Sequence, residues 1–338
     1  MTNVPIVQLN YEKSSRWQTL LAQAITNPLE LLKILELDEN LLLAAKLASR
    51  DFKLLAPRNY VDKIKKGDFH DPLLRQILPI AEELIENNDY LKDPLQEALT
   101  NPIPGLLHKY QGRVLLTITG ACSINCRYCF RRHFPYSENR MNKTNFDQII
   151  NYLAQNSSIH EVILSGGDPL VATDNYLAKL VDKITSIAHI RRLRIHSRLP
   201  IMLPDRITPE MIAWLSRPNL KSILVLHINH PNEMDEHLAM ALQKLIAAKI
   251  TLLNQTVLLK GVNDQAAVLA ELSEKLFNYG ILPYYLHTLD KTAGTAHFDL
   301  TPEAISKIYD ALQTLLPGYL VPKLVREKAG AKYKTLII

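Results

Sequence analysis

The feature that most constrains the fold is a regular alternation of short apolar strands and amphipathic helices after Tyr110. Each predicted strand is followed by a segment with apolar residues at helical spacing. The strands are predicted at 114–119, 161–165, 193–197, 222–228, 251–259 and 283–288, and the helices at 145–155, 174–187, 208–214, 233–248, 264–279 and 301–315. Six consecutive βα units predict a parallel sheet of the α/β class with right-handed crossovers. Because six units are too few for the usual eight-unit barrel, we expect an open, partial (β/α)6 barrel.

The chain before this repeat has a different, helical character. Apolar residues recur at helical spacing from Trp17 onwards, through 41–48 and 73–85, with prolines between the segments. Residues 101–105 read Asn-Pro-Ile-Pro-Gly, which cannot continue a helix and predicts a boundary. We therefore divide the chain into an N-terminal helical region (1–105), a (β/α)6 core (106–320) and a C-terminal segment (321–338).

Composition and charge exclude several classes of protein. Among the 338 residues, 39 Lys and Arg stand against 34 Asp and Glu, and a net charge of +5 is too small to indicate nucleic-acid binding. The N-terminus lacks the apolar stretch of a secretory signal, and no apolar run approaches the ~18 residues needed to span a bilayer. We therefore expect a cytoplasmic protein that binds neither nucleic acid nor a membrane.

The three cysteines of the chain form a cluster. Cys122, Cys126 and Cys129 follow the first predicted strand with the spacing C-x3-C-x2-C. An odd number of cysteines in a long chain does not form a disulfide framework, whereas closely spaced thiolates bind zinc or an iron–sulfur cluster. A structural zinc site needs a fourth ligand, for which His133 is the candidate. Three thiolates alone suit a four-iron cluster with one iron left open.

A second motif agrees with the iron–sulfur interpretation. Residues 165–169 read Ser-Gly-Gly-Asp-Pro and follow the second predicted strand. The two motifs together resemble the radical S-adenosylmethionine (SAM) superfamily, in which SAM chelates the open iron of a [4Fe-4S] cluster. The resemblance implies a radical SAM barrel for the core. It also implies contacts to SAM from Gly167, Asp168, His227, Gln255, Ser197 and Arg198.

Four further segments narrow the resemblance to one family. Residues 193–198, 226–233, 254–264 and 283–298 are similar to the lysine 2,3-aminomutases. From its length we expect a protein without the cysteine-bearing C-terminal extension of the longer members, similar to the branch that modifies elongation factor P. The resemblance implies conversion of L-α-lysine to (R)-β-lysine, which a separate ligase attaches to elongation factor P. It leaves open whether the protein forms a small homo-oligomer.

The family also uses pyridoxal 5′-phosphate (PLP), bound covalently by a lysine near the C-terminus. The position matches Lys334, but the glycine run that precedes this lysine in the family is degraded to Ala-Gly-Ala here, so Lys332 stays a competitor. For the PLP phosphate the resemblance implies Lys109 and Arg113, and for the pyridine ring it implies Tyr110.

The resemblance assigns the substrate to three side chains. Arg131 matches the arginine that pairs with the substrate carboxylate, with Arg132 as its nearest competitor. Asp290 and Glu327 match the two acids that hold the ε-ammonium group, although the family usually has Asp at the second position. Two histidines, His196 and His230, stay unassigned.

Three alternative functions stay open on the sequence. The first is a 2,3-aminomutase for another amino acid such as glutamate, which the acid pair Asp290 and Glu327 disfavours. The second is a zinc-stabilised βα module without catalysis. The third is a SAM-cleaving enzyme without PLP.

Overall fold

The computed structural model describes residues 16–337, and the chain begins with short helices. These are α1 (Arg16–Ala22), α2 (Pro28–Ile34), α3 (Leu42–Asp51), α4 (Arg58–Val61) and α5 (Pro72–Arg75). The prediction of helix over 73–85 is wrong beyond its first turn. Pro79 explains the end of α5, because it has no amide hydrogen and its ring clashes with the carbonyl group four residues earlier. Residues 76–105 then follow an irregular path with two short 3-10 turns.

A nine-stranded sheet follows, and each strand pairs with its neighbours in chain order. The strands are β1 (Leu106–Tyr110), β2 (Arg113–Thr119), β3 (Glu161–Gly166), β4 (Arg192–Ser197), β5 (Lys221–Leu226), β6 (Thr251–Val257), β7 (Leu282–His287), β8 (Lys323–Arg326) and β9 (Thr335–Leu336). Strands β2 to β8 run parallel, while β1 and β9 are antiparallel edge strands. Within residues 16–337 the two edges do not pair, so the expected open, partial barrel is confirmed.

Helices connect the parallel strands as the sequence predicts. They are α6 (Phe146–Gln155), α7 (Asp174–Thr185), α8 (Leu199–Met202), α9 (Pro209–Leu215), α10 (Glu236–Ala247), α11 (Ala266–Asn278) and α12 (Pro302–Leu315). Capping side chains fix where several of them begin. Asp235 accepts a hydrogen bond from the backbone N–H of Leu238, so α10 starts at Glu236 and not at 233.

Three strands lie outside the six that the sequence predicts. The edge strand β1 precedes them, and β8 and β9 come from the C-terminal segment. Strands β8 and β9 contain four and two residues, which is too short for a periodic pattern to show. Strand β8 is a seventh parallel strand, so the C-terminal segment forms one edge of the sheet.

One hydrophobic core joins the N-terminal helices to the barrel. Trp17, Tyr60 and Ile77 belong to the same buried cluster as Leu116 of β2 and Trp214 of α9. Burial of apolar surface stabilises such a core by about 25 cal/mol per Å². In the described residues 16–337, none of the helices combines the length and the apolar character that crossing a bilayer requires.

Candidate active site

A cavity of about 800 Å³ opens at the carboxyl ends of the parallel strands and continues into the barrel. Parallel strands end at the same edge of a sheet, so side chains that follow different strands meet there. Every residue that the sequence assigns to the site lines this cavity: Lys109, Tyr110, Arg113, Cys122, Cys126, Cys129, Arg131, Gly167, Asp168, Ser197, Arg198, His227, Gln255, Asp290, Glu327 and Lys334. The structure thus places three thiols, an amine and two acids around one space.

The Gly-Gly turn after β3 packs directly on the cysteine loop, which we define as residues 120–132. The backbone N–H of Asp168 donates to the carbonyl oxygen of Ala121 at 2.8 Å. A Cβ atom on Gly167 would lie 2.4 Å from that same oxygen, closer than any real Cβ contact. Glycine is therefore required at 167 because the two backbones touch.

We expect the substitution Gly167→Ala to destabilise this contact by roughly 1–3 kcal/mol, the usual cost of overpacking. Thermal unfolding and iron content of the reconstituted protein measure the effect. Gly318→Ala is the matched control, because a Cβ atom at 318 meets nothing within 4 Å. Equal melting temperatures and iron contents for the two variants would contradict the close packing.

The cysteine thiols fit a cluster better than a single ion. No three His, Cys, Asp or Glu side chains within the described part of the chain converge closely enough to hold one metal ion. His133 does not line the cavity, and its Nε2 donates to the carbonyl oxygen of Ala293 at 3.2 Å. All three thiols line one cavity, and cysteine thiolates are the usual ligands of iron–sulfur clusters.

Burial disfavours the thiolate forms of two of the cysteines. Burial, followed by the electrostatic effect of neighbouring Cys126, raises the pKa of Cys129 to about 11. Burial also raises the pKa of Cys122 well above its usual value. Bound iron would therefore have to displace the protons, as metal ions do from thiol ligands.

The N-terminal region holds the cysteine loop through its backbone. Asn125 donates its N–H to the carbonyl oxygen of Leu55 at 3.0 Å, and Arg127 donates to that of Gln76 at 2.9 Å. The buried Arg127 side chain also forms an ion pair with Glu83. The loop is thus positioned by the segment between α3 and β1 as well as by the barrel.

Asp168 and Ser197 connect two strand ends to each other. The Asp168 carboxylate accepts hydrogen bonds from Ser197 Oγ at 2.7 Å and from the backbone N–H groups of Arg198 and Leu199, each at 2.9 Å. A fourth bond comes from the N–H of Leu170 at 3.0 Å. The carboxylate therefore positions the Gly-Gly turn against the end of β4.

His227 and Gln255 offer polar groups on the far side of the cavity. Burial lowers the pKa of His227 to about 3, so its imidazole is neutral, and its Nε2 lies 3.3 Å from Nδ1 of His196. The side-chain oxygen of Gln255 is buried and has no hydrogen-bond partner among the described residues. This oxygen is an available acceptor for a hydroxyl or ammonium group of a bound molecule.

Lys334 lies at the C-terminal side of the cavity. Its Nζ donates to Glu327 Oε2 at 3.2 Å and lies 3.3 Å from His287 Nε2. Lys332, the competitor, is exposed and lies outside the cavity lining. Pairing between β8 and β9 explains the geometry, because Glu327 directly follows β8 and Lys334 directly precedes β9.

Glu327 is the centre of a charged network. Its Oε1 accepts from Lys109 Nζ and from the hydroxyl group of Tyr110, both at 3.2 Å. Although burial opposes ionisation, the charges of Lys334 and Lys109 lower the pKa of Glu327 to about 2. The guanidinium of Arg113 lies over the Tyr110 ring, 4.6 Å from its centroid. These cations lie on the same side of the cavity as Lys334.

Asp290 differs from Glu327 in its electrostatics. Burial, followed by the negative charge of Glu327, raises the pKa of Asp290 to about 7. Unpaired negative charge in a buried site attracts a cation. The two acids together therefore favour a positively charged group at this end of the cavity.

Sequence reasoning missed Glu97, which binds two of the predicted site residues. Arg131 donates from Nε and Nη2 to the two Glu97 oxygens at 2.7 and 2.9 Å, and Lys109 Nζ lies 3.1 Å from Oε1. Glu97 lies in the irregular segment before β1, where no periodicity marks it. His287, which contacts Lys334, was missed as well, although its place at the end of β7 was a usable signal.

Comparison of the sequence with known protein families agrees with this geometry. Residues 116–272 match the radical SAM superfamily, which covers β2 to α11 and the cysteine loop. The fold and the site therefore define a radical SAM protein. The chain is 49% identical to the L-lysine 2,3-aminomutase of Haemophilus influenzae over 324 residues, which are 96% of each chain. It is also 49% identical to that of Escherichia coli over 331 residues, 98% of this chain and 96% of the relative.

The longer L-lysine 2,3-aminomutase of Clostridium subterminale is 39% identical over 82% of this chain and 67% of its own length. The chain belongs to the L-lysine 2,3-aminomutase family, so the resemblance read from the sequence is confirmed. These are isomerases, and membership implies a [4Fe-4S] cluster, SAM and PLP. The thiols, the acceptor on Gln255 and the lysine among cations fit those three groups.

Proposed function

We propose that this protein converts L-α-lysine to (R)-β-lysine by 2,3-amino migration and depends on PLP. The observation that carries the proposal is the single cavity that contains the three thiols together with Lys334, Asp290 and Glu327. A radical SAM enzyme without PLP has no need for a partly buried lysine that shares its acidic partner with a second cation. A zinc module has no need for the cavity at all.

Charged side chains of both signs in the cavity support lysine as the substrate. Arg131 offers a planar guanidinium, and its bidentate contact with Glu97 has the geometry with which it would hold a substrate carboxylate. The substrate carboxylate would replace or share that contact. Asp290 and Glu327 would hold the ε-ammonium group, which disfavours a glutamate side chain at the same position.

Three sets of residues would hold the cofactors. Lys334 would bind PLP through its amine, while Lys109 and Arg113 would neutralise its phosphate, with Tyr110 against the ring. For SAM, Gln255, His227 and the backbone around Gly167 would provide the contacts. When bound, the cluster and SAM supply the radical that removes hydrogen from C3 of lysine, and PLP carries the nitrogen from C2 to C3.

The chain itself binds, orients and protects the reactants. The Lys334 Nζ donates to Glu327 and lies 3.3 Å from His287 Nε2, so these two side chains orient the amine in the cavity. The buried walls of the barrel interior exclude water from a radical reaction. Arg131 and the two acids would together fix the orientation of the substrate in the cavity.

Anaerobic incubation of the reconstituted protein with L-lysine, SAM, PLP and a one-electron reductant tests the proposal. We expect (R)-β-lysine by chiral chromatography and no product from L-glutamate. Absence of β-lysine from a protein loaded with iron and PLP would refute it.

We further propose that the product serves elongation factor P, as in the short-chain branch of the family. Addition of that factor and its ligase to the reaction should then give β-lysylated factor by mass spectrometry.

We predict that kcat/KM for L-lysine falls about tenfold per pH unit below pH 7, because kcat/KM reports the ionisations of the free enzyme. The cause is Asp290, whose carboxylate is protonated as the pH falls through its pKa of about 7 and then attracts the ε-ammonium less. Glu327, with a pKa of about 2, stays ionised throughout. Asp290→Asn should lower kcat/KM and remove the inflection; an unchanged inflection in that variant would assign it to another group.

A further inference from the structure

Arg198 contacts one of the three cysteines directly, in addition to the SAM-binding role that the resemblance implies for it. Its Nη1 donates to the sulfur of Cys126 at 2.8 Å. The Arg198 side chain is 5% exposed, and its charge lies among groups with almost no access to water. A full positive charge is therefore in direct contact with one of the three thiols that face the cavity.

A buried network fixes the Arg198 guanidinium in this position. Its Nη2 donates to Gln76 Oε1 at 2.7 Å and to Glu233 Oε2 at 2.9 Å. Aromatic rings of Tyr60 and Tyr128 lie within 5.7 Å of the guanidinium carbon. Gln76 and Tyr60 belong to the N-terminal region, Tyr128 to the cysteine loop, and Glu233 follows β5, so three parts of the fold hold one side chain.

We infer that Arg198 sets the reduction potential of the iron–sulfur cluster on the cysteine loop, through its charge and its hydrogen bond to Cys126. Glu233 and Gln76 act as positioning residues for this contact. The inference rests on the cluster that the family implies and not on lysine as the substrate, so it stands or falls independently of the proposed function.

The sign of the effect follows from charge balance. Reduction transfers one electron from a low-potential one-electron donor to the cluster, and no bond forms or breaks. The added negative charge is partly carried by the cysteine sulfurs, so a nearby cation stabilises the reduced form. Hydrogen bonds to cluster sulfurs act in the same direction. Removal of the cation must therefore make the potential more negative.

The test is an EPR-monitored redox titration of the reconstituted full chain under anaerobic conditions, without SAM or lysine. We expect Arg198→Gln to lower the equilibrium constant for reduction about tenfold, which is about 59 mV for one electron. Glu233→Gln should shift the midpoint in the opposite direction, because it removes the negative charge that compensates Arg198. A role in holding the fold together would not produce shifts of opposite sign.

Arg206→Gln is the matched control. Arg206 is equally buried and has an acidic partner, but its guanidinium donates to Leu170 and Asp174 instead of a cysteine. The midpoint potential of the Arg206→Gln variant should equal that of the parent protein. Parental midpoints in both Arg198→Gln and Glu233→Gln, with only SAM affinity reduced, would overturn the inference. If Arg198→Gln retains no iron, the Glu233→Gln variant tests the inference, because it keeps Arg198 and all three cysteines. A less negative midpoint in that variant would support the inference, and a parental or more negative midpoint would overturn it.

Discussion

Replacing Lys334 by alanine is expected to abolish β-lysine formation, with a loss on the order of a thousandfold or more, as removal of a covalent catalytic group does. The physical reason is that Lys334 is the lysine of the C-terminal segment that lines the cavity, and its partner Glu327 also binds Lys109. The Nζ of Lys334 is also the group that Glu327 and His287 orient. Without it, PLP would lose its covalent attachment. Borohydride reduction of the PLP-loaded protein, followed by peptide mapping, should label Lys334 in the parent and leave the variant unlabelled.

Lys332→Ala is the matched control for that experiment. Lys332 lies two residues away in the same segment, but its side chain is exposed to solvent and does not line the cavity. The control should keep both the label and the activity. Labelling of Lys332 in the parent, or full activity of Lys334→Ala, would contradict the proposed role of Lys334.

Replacing Cys126 by alanine is expected to remove both iron and SAM cleavage. Two remaining thiolates cannot hold the three irons that protein ligands must bind in a site of this kind, and the chain has no other cysteine to substitute. Iron should fall from about four atoms per reconstituted chain to less than one, as four-iron ligation requires. 5′-Deoxyadenosine should become undetectable by chromatography.

His133→Ala provides the control directly after the same loop. His133 does not line the cavity, and its Nε2 donates to the carbonyl oxygen of Ala293, so its loss should leave iron and SAM cleavage intact. Stoichiometric zinc without iron or acid-labile sulfide in the parent protein would instead support the zinc module. That result would also remove the basis for the redox role of Arg198.

Much of the fold and the site was predictable because the signals are local or repeated. Each strand–helix unit carries its own periodicity, and the carboxyl ends of parallel strands meet by topology alone. The sequence therefore predicts that Cys122, Cys126 and Cys129 lie close to the residues that follow the other parallel strands. The role of Lys334 was predicted from the family resemblance alone. The strand β9 that follows it has only two residues, which is too short for a sequence pattern.

The parts that could not be predicted depend on contacts distant in sequence. Glu97 lies in an irregular segment and acquires its role only from Arg131, 34 residues further along. The link between Gln76 and Arg198 spans 122 residues and joins two regions that the sequence divides. Strand β8 forms because β7 offers it an open edge, which no pattern within four residues reveals.

The core shared between the N-terminal helices and the barrel has a consequence for the order of assembly. Because Leu55 and Gln76 accept hydrogen bonds from the cysteine loop, the loop reaches its final conformation only after the N-terminal residues have docked. Iron delivered to a partly folded chain would meet three mobile thiols without a defined arrangement. Assembly of a metal centre on this loop would therefore require the segment between α3 and β1 to be in place.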